Sequence, residues 1–135
     1  QPDVLERSAA YLSGITNGRY RRLLPAHEGR DGVLALETSD GRPVGLGEAL
    51  SRGTKEQVLL SLRLAAADHM DQTGERLPLF VDEVFVNWDK GRRERGLELL
   101  RQLSGSRQVC VFTCHAAVAG RLASLGRRVV ELPSS

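Results

Sequence analysis

The sequence predicts an α/β domain in which a parallel sheet is flanked by helices and preceded by a small β-meander. Three observations carry that expectation. Short apolar runs, Leu79 to Val81 and Val109 to Thr113, alternate with longer segments of helical periodicity that follow Gly53, Asp89 and His115. Both apolar runs end in polar groups, Asp82-Glu83 and His115, as buried strands do where they surface at the C-terminal edge that binds ligands in open α/β sheets. Near the start, the tight-turn pair Asp40-Gly41 separates two β-like stretches.

Taken in order, Asp3 to Thr16 reads as a helix, with Val4, Ser8, Tyr11 and Ile15 at four-three-four spacing and Leu5, Ala9 and Leu12 beside them. Asn17-Gly18 ends it in a left-handed cap. Tyr20 to Leu24, Val33 to Glu37 and Arg42 to Leu46 form the meander, and His27 falls in a surface loop within it. The helix from Gly53 to about Gln72 is expected to bury Val58, Leu62 and Ala65, with Leu59, Ala66 and Met70 widening the stripe. His69 near its end is a dipole-compatible surface residue. Pro78 is tolerated at the head of the Asp82 strand. A helix from Lys90 to Leu103 turns Leu97, Leu100 and Leu103 inward and is closed by Ser104-Gly105-Ser106. Beyond the Val109 to Thr113 strand, a helix uses Val118, Leu122 and Leu125, and Arg128 to Leu132 is expected to be a last strand of the same sheet.

Composition narrows the class. A chain of 135 residues is one domain, large enough to bury roughly two thirds of its unfolded surface. With 41% hydrophobic but only 4% aromatic residues, the core falls to Leu, Val and Ala. A formal net charge of +2 lacks the concentrated basic face of a strong nucleic-acid binder. The clusters Arg19, Arg21, Arg22 and Arg92, Arg93 read as solvated surface. No run reaches the length of a membrane span and no charged-then-apolar leader opens the chain, so a cytoplasmic protein is expected. Gln1 is not an initiator, which suggests a piece of a longer or processed protein. Cys110 and Cys114 flank an extended run and are too far apart for a disulfide. A Cys-x3-Cys-His cluster lacks a fourth zinc ligand at sensible spacing, so both thiols are read as free and buried.

Two ends of the central stretch carry the chemistry. An acid at a strand's C-terminal edge can hold a metal-bound water, and a second acid beside it can accept a proton from an attacking water; Asp82 and Glu83 suit those roles. Taken alone, such a pair is more often simply the start of a polar loop. At the other end, Ser51-Arg52-Gly53 opens a long helix, offering free N–H groups, a hydroxyl and a positive dipole end to a phosphate. Taken alone, that is also an ordinary N-cap. The order of cap, helix, strand, Asp82-Glu83, Asp89 and a second strand ending in His115 distinguishes the chain from either.

On those residues the chain resembles a known family. Leu50-Ser51-Arg52-Gly53-Thr54-Lys55-Glu56-Gln57, residues 50–57, resembles the signature motif of ABC-type ATPases in the variant form of SMC-like and RecF/RecN-like DNA-maintenance proteins, and is similar to the bacterial YhaN-type branch. Residues 79–89 resemble its Walker B strand and D-loop, and 109–115 its switch-histidine strand. Residues 1–18 would be the foot of a coiled-coil arm. The resemblance implies that 1–135 is a single domain, the C-terminal half of a P-loop NTPase in the ABC ATPase head. Arg52 and Thr54 depart from the common signature but match the variant branch. Trp88, in the D-loop, is expected to pack beneath it rather than stack on a base.

No Gly-x4-Gly-Lys-Ser/Thr phosphate loop occurs, and Gly45-Leu46-Gly47 cannot replace one. The family places that loop in an N-terminal lobe, which becomes an expected partner, and the isolated chain is expected to be inactive. The resemblance implies ATP and Mg²⁺ as cofactors, with Asp82 on Mg²⁺ through water, Glu83 orienting the attacking water, and His115 on the γ-phosphate of the same subunit. Ser51, Arg52, Gly53 and Thr54 would meet nucleotide on the opposite head of a homodimer, and Asp89 would cross that interface. The function implied is ATP hydrolysis in DNA repair, recombination or chromosome maintenance, with DNA as a partner and nucleoid association open. Two alternatives are the nucleotide-binding lobe of an ABC transporter, which would carry its own phosphate loop, and a non-hydrolysing ATP-gated clamp.

Overall fold

The computed structural model describes residues 2–25, 34–47, 50–72 and 74–134. His27, Val33, Glu48 and Ala49 lie outside the described residues. The element order is α1 (Pro2–Ile15), β1 (Tyr20–Leu24), β2 (Ala35–Thr38), β3 (Pro43–Gly45), α2 (Arg52–Asp71), β4 (Leu79–Asp82), α3 (Lys90–Leu103), β5 (Val109–Phe112) and α4 (Ala116–Ser124). Strands β1, β2 and β3 form an antiparallel meander, and β4 pairs with β5 in parallel, Asp82 opposite Phe112. This is the α/β architecture with an N-terminal meander that the sequence predicts. Among the described residues no helix is long and apolar enough to cross a membrane.

Local chemistry sets the element ends. Asn17 and Gly18 take positive φ values of 52° and 78°, and the Gly18 N–H returns to the Ser13 carbonyl at 2.8 Å, closing α1. Thr16 then ties that end to β1, since its Oγ1 accepts from the Tyr20 N–H at 3.3 Å. Gly41, at φ 82°, makes the turn between β2 and β3.

Two hydrophobic clusters share α1 and α2. One gathers Leu12, Tyr20, Leu23, Leu36, Leu50 and Val58 beneath the meander. The other gathers Ile15, Leu60, Leu64, Val81, Phe85, Trp88, Leu97, Leu100 and Val118 beneath the parallel pair. Because residues two apart on a helix point roughly 200° from each other, Val58 and Leu60 serve opposite sides of α2. This corrects the single stripe expected there: Leu59, Ala66 and Met70 are exposed, whereas Gln57, Leu60, Ser61 and Leu64 are buried. A helix sandwiched between two cores has no one apolar face to read.

The expected strand over Arg128 to Leu132 does not form. The segment is extended but irregular, with Val130 63% and Leu132 76% exposed. A cleft of about 790 Å³, lined by Val109, Val111 and Phe112 on one side and by residues 127–132 on the other, separates it from β5. A strand persists only where its ladder is paired and one face is covered, and neither condition is met here. The parallel sheet is therefore two strands wide among the described residues.

Candidate active site

The β4–β5 register brings the acidic pair beside the histidine. Leu79, Val81, Val109 and Val111 pack on the core, so the alternating positions Phe80, Asp82, Cys110 and Phe112 fall on the opposite face. Asp82 ends β4 with its side chain exposed. Glu83 continues the ladder, its N–H donating to the Phe112 carbonyl at 2.9 Å, but its φ of 47° is left-handed. A non-glycine residue there carries strain of about 1–3 kcal/mol, which the surrounding structure must hold in place.

What holds it comes from the turn after β5. Glu83 Oε1 accepts a hydrogen bond from the Cys114 N–H, and Oε2 lies 3.6 Å from His115 Nε2. The His115 N–H in turn donates to Thr113 Oγ1 at 3.0 Å, and the His115 carbonyl accepts from the Val118 and Ala119 N–H groups of α4. The Cys114 N–H, helped by the Cys114 side chain and by His115, holds the Glu83 carboxyl below its usual range. That keeps it ionised at neutral pH, and makes it better suited to orienting a water than to stripping a proton from it. The same contact with Glu83, reinforced by the carboxylate charge, pushes the Cys114 thiol up.

The other expected cluster assembles around the start of α2. Ser51 is the N-cap, its Oγ accepting from the Thr54 N–H at 3.2 Å. Ser51 and Arg52 face solvent, whereas Gly53 and Thr54 are buried. Gly53 lies against the 84–89 loop so closely that a Cβ there would stand 2.3 Å from the Asn87 carbonyl oxygen. Asn87 Nδ2 also donates to Glu56 Oε1 at 2.9 Å. Asp89 is the N-cap of α3, accepting from the Arg92 N–H at 3.0 Å. Arg92, expected on the solvated surface, is instead only 13% exposed, and its guanidinium donates to Thr54 Oγ1 and Gln57 Oε1 at 3.1 and 3.0 Å. Trp88 does pack beneath the loop, edge-on to Phe85 with ring centroids 5.0 Å apart.

The structure thus unites Asp82, Glu83 and His115 on one rim, and Ser51, Gly53, Thr54 and Asp89 in a second group. Among the described residues no hydrogen bond or ion pair joins the two groups, which are connected through residues 84–88. Sequence reasoning missed Cys114, Arg92 and Asn87. For Cys114 a signal existed: aligning two apolar runs as parallel neighbours places the residues after Phe112 beside Glu83. It also read both thiols as buried, whereas Cys114 is exposed because the chain has left the sheet by then.

The comparisons with known proteins agree with this order of elements. No protein-family model matches the chain. YhaN of Bacillus subtilis (strain 168), an uncharacterized protein, is 36% identical over 119 residues, covering 87% of this chain and 12% of that protein. A probable DNA double-strand break repair Rad50 ATPase of Aquifex aeolicus (strain VF5) is 32% identical over 103 residues, covering 74% of this chain and 10% of that one. The SMC head domain from Thermotoga maritima superposes with a TM-score of 0.64 at 22% identity, over 89% of this chain and 40% of that domain. The chain belongs with the C-terminal lobes of SMC-like ATPase heads. It spans 12% and 10% of the two sequence relatives, so the lobe corresponds to a small part of proteins of that kind.

For such a lobe, the open sheet face is informative. Phe80 and Phe112, 66% and 45% exposed, stack on each other with centroids 6.2 Å apart. Parallel sheets are ordinarily covered on both faces.

Proposed function

We propose that this lobe supplies the water-orienting and signature surfaces of an SMC-like ATPase, and that another lobe supplies the phosphate loop. The observation that carries the reading is Glu83, fixed at the end of β4 in a left-handed conformation with its carboxylate tied to the Cys114 N–H and facing His115. Strained backbone conformations of this kind are concentrated at functional sites. The exposed Phe80 and Phe112 pair supports a second lobe completing the sheet, from the same polypeptide or a separate one.

In the complete head, Glu83 orients the attacking water, since phosphoryl transfer asks for positioning and charge more than for covalent chemistry. His115 contacts the γ-phosphate from the same side. Asp82, exposed and oxygen-donating at the strand end, suits Mg²⁺ held through water; when bound, the ion neutralises charge on the phosphate oxygens. Ser51 and Arg52, the solvent-facing part of the α2 tip, reach nucleotide held by an opposite head, so ATP joins two heads. Asp89 lies on the same interface. Gly53 and Thr54 act within the lobe, joining that tip to the 84–89 loop. Similarity to a Rad50 ATPase described in DNA double-strand break repair favours a role in DNA repair or chromosome maintenance.

The test is Glu83→Gln in the complete head. Turnover is expected to fall by roughly a hundredfold or more, the scale of what misplacing a reacting group costs, while ATP still binds and a dimer accumulates on size-exclusion chromatography. Unchanged steady-state turnover would remove Glu83 from the reaction.

A further inference from the structure

Glu83, Cys114 and His115 bring an oxygen, a sulfur and a nitrogen donor together at the rim of the β4–β5 pair, all within 4.8 Å of one another. Neither the acidic residue nor the thiol makes a site by itself; the convergence of three donor types does. A second observation concerns Glu83 Oε2. The carboxylate is anchored through Oε1 by the Cys114 N–H, which leaves Oε2 a buried atom with no hydrogen-bond partner, aimed at His115 Nε2 3.6 Å away. Buried polar atoms are nearly always satisfied, so an orphaned lone pair facing another ligand atom calls for an explanation. Oxygen and nitrogen ligands held about 2.1 Å from a tetrahedral zinc stand roughly 3.4 Å apart. The observed separation needs little adjustment. Cys114 and His115 are exposed, which leaves an entry path and room for water at a fourth position.

The donor set chooses among cations. Thiolate and imidazole suit zinc and its neighbours, whereas Mg²⁺ requires oxygen ligands in near-octahedral array. This group is therefore distinct in chemistry from Asp82, which offers an oxygen donor without the thiolate and imidazole that favour zinc.

We propose that Glu83, Cys114 and His115 form a binding site for a divalent cation of the zinc class. The Cys-x3-Cys-His spacing concealed it, because Cys110 lies within β5, paired with Phe80 of β4, while the missing ligand comes from the neighbouring strand end, 31 residues before Cys114. A bound cation also occupies the two side chains assigned to hydrolysis, so it inhibits turnover; this consequence, unlike the site itself, rests on the proposed function.

The test uses Zn²⁺ by isothermal titration calorimetry and Co²⁺ by absorption spectroscopy on this chain. One equivalent of Zn²⁺ is expected to bind with micromolar or tighter affinity. Cys114→Ser and Glu83→Gln each weaken binding by roughly tenfold or more, of the order seen when the immediate surroundings of a metal are altered. Cys110→Ser leaves it unchanged. Co²⁺ gives a thiolate-to-metal charge-transfer band that Cys114→Ser abolishes. Since the Cys114 side chain is exposed, that variant does not put folding at risk. No binding at submillimolar Zn²⁺, or a band and affinity that survive Cys114→Ser or are lost with Cys110→Ser, overturns the proposal. In the complete head, with Mg²⁺ kept in excess, inhibition by Zn²⁺ and its reversal by EDTA stoichiometric with the zinc are compared with each variant's own zinc-free rate. A cation that binds as described yet leaves turnover unchanged upholds the site and contradicts the hydrolytic role of Glu83.

Discussion

Gly53 shows how a single residue can be required for a reason its motif does not display. In the sequence it eases a turn and opens a phosphate-seeking helix tip; in the fold it is the point at which α2 meets the 84–89 loop, with the Asn87 carbonyl where a Cβ would stand. Both sides of that contact are backbone, so neither can swing away. Gly53→Ala is expected to destabilise the lobe by about 1–3 kcal/mol, the usual cost of overpacking, read as a lower urea midpoint at unchanged slope; a midpoint equal to the parent's would show that the loop yields freely. Gly96 is confined in the same way, its missing Cβ leaving room for the Trp88 and Phe85 rings. At this scale the sequence disclosed chemical type but not contact. Ser51 and Asp89 were legible as polar residues before periodic helices, and both are N-caps. Arg92 was not legible, because its partners Thr54 and Gln57 lie a helix and a strand away.

Among the elements, the α1–α2 pair frames the lobe. Tyr11 of α1 donates to Asp68 of α2, and Arg107, its side chain 5% exposed, joins Asp68 and Asp71 ahead of β5. Burial first, and then the bond to Asp68, push the Tyr11 hydroxyl up to about 12. The sign follows from linkage: a group whose value is raised on folding contributes stability present below its ordinary value of 10.0 and lost as pH rises through about 12. In a Tyr20→Phe variant, phenolate absorbance should therefore report Tyr11 alone, with a midpoint near 12 and unfolding that accompanies it. A midpoint near the ordinary tyrosine value would mean that the tie between the two helices is absent in solution. Elements that face one core, such as α3, were readable to their ends, since a cap and a leucine period specify them locally. The faces of α2 and the pairing of residues 128–132 were not, because two cores and an absent ladder decide them.

For the whole molecule, the order of elements was legible and their completion was not. The parallel pair covers one face with the shared core and leaves Phe80 and Phe112 on the other, a half-built layer for an α/β sheet. The acids and the imidazole lie at the end of that sheet and the α2 tip against the loop that follows β4, yet the sequence contains no loop able to cradle a triphosphate. Nucleotide binding is therefore expected to require two lobes together. Calorimetric titration of Mg·ATP into this chain alone, and into the complete head carrying the phosphate loop, tests that most directly. Saturable micromolar binding is expected only for the complete head; micromolar binding by this chain alone would contradict the account.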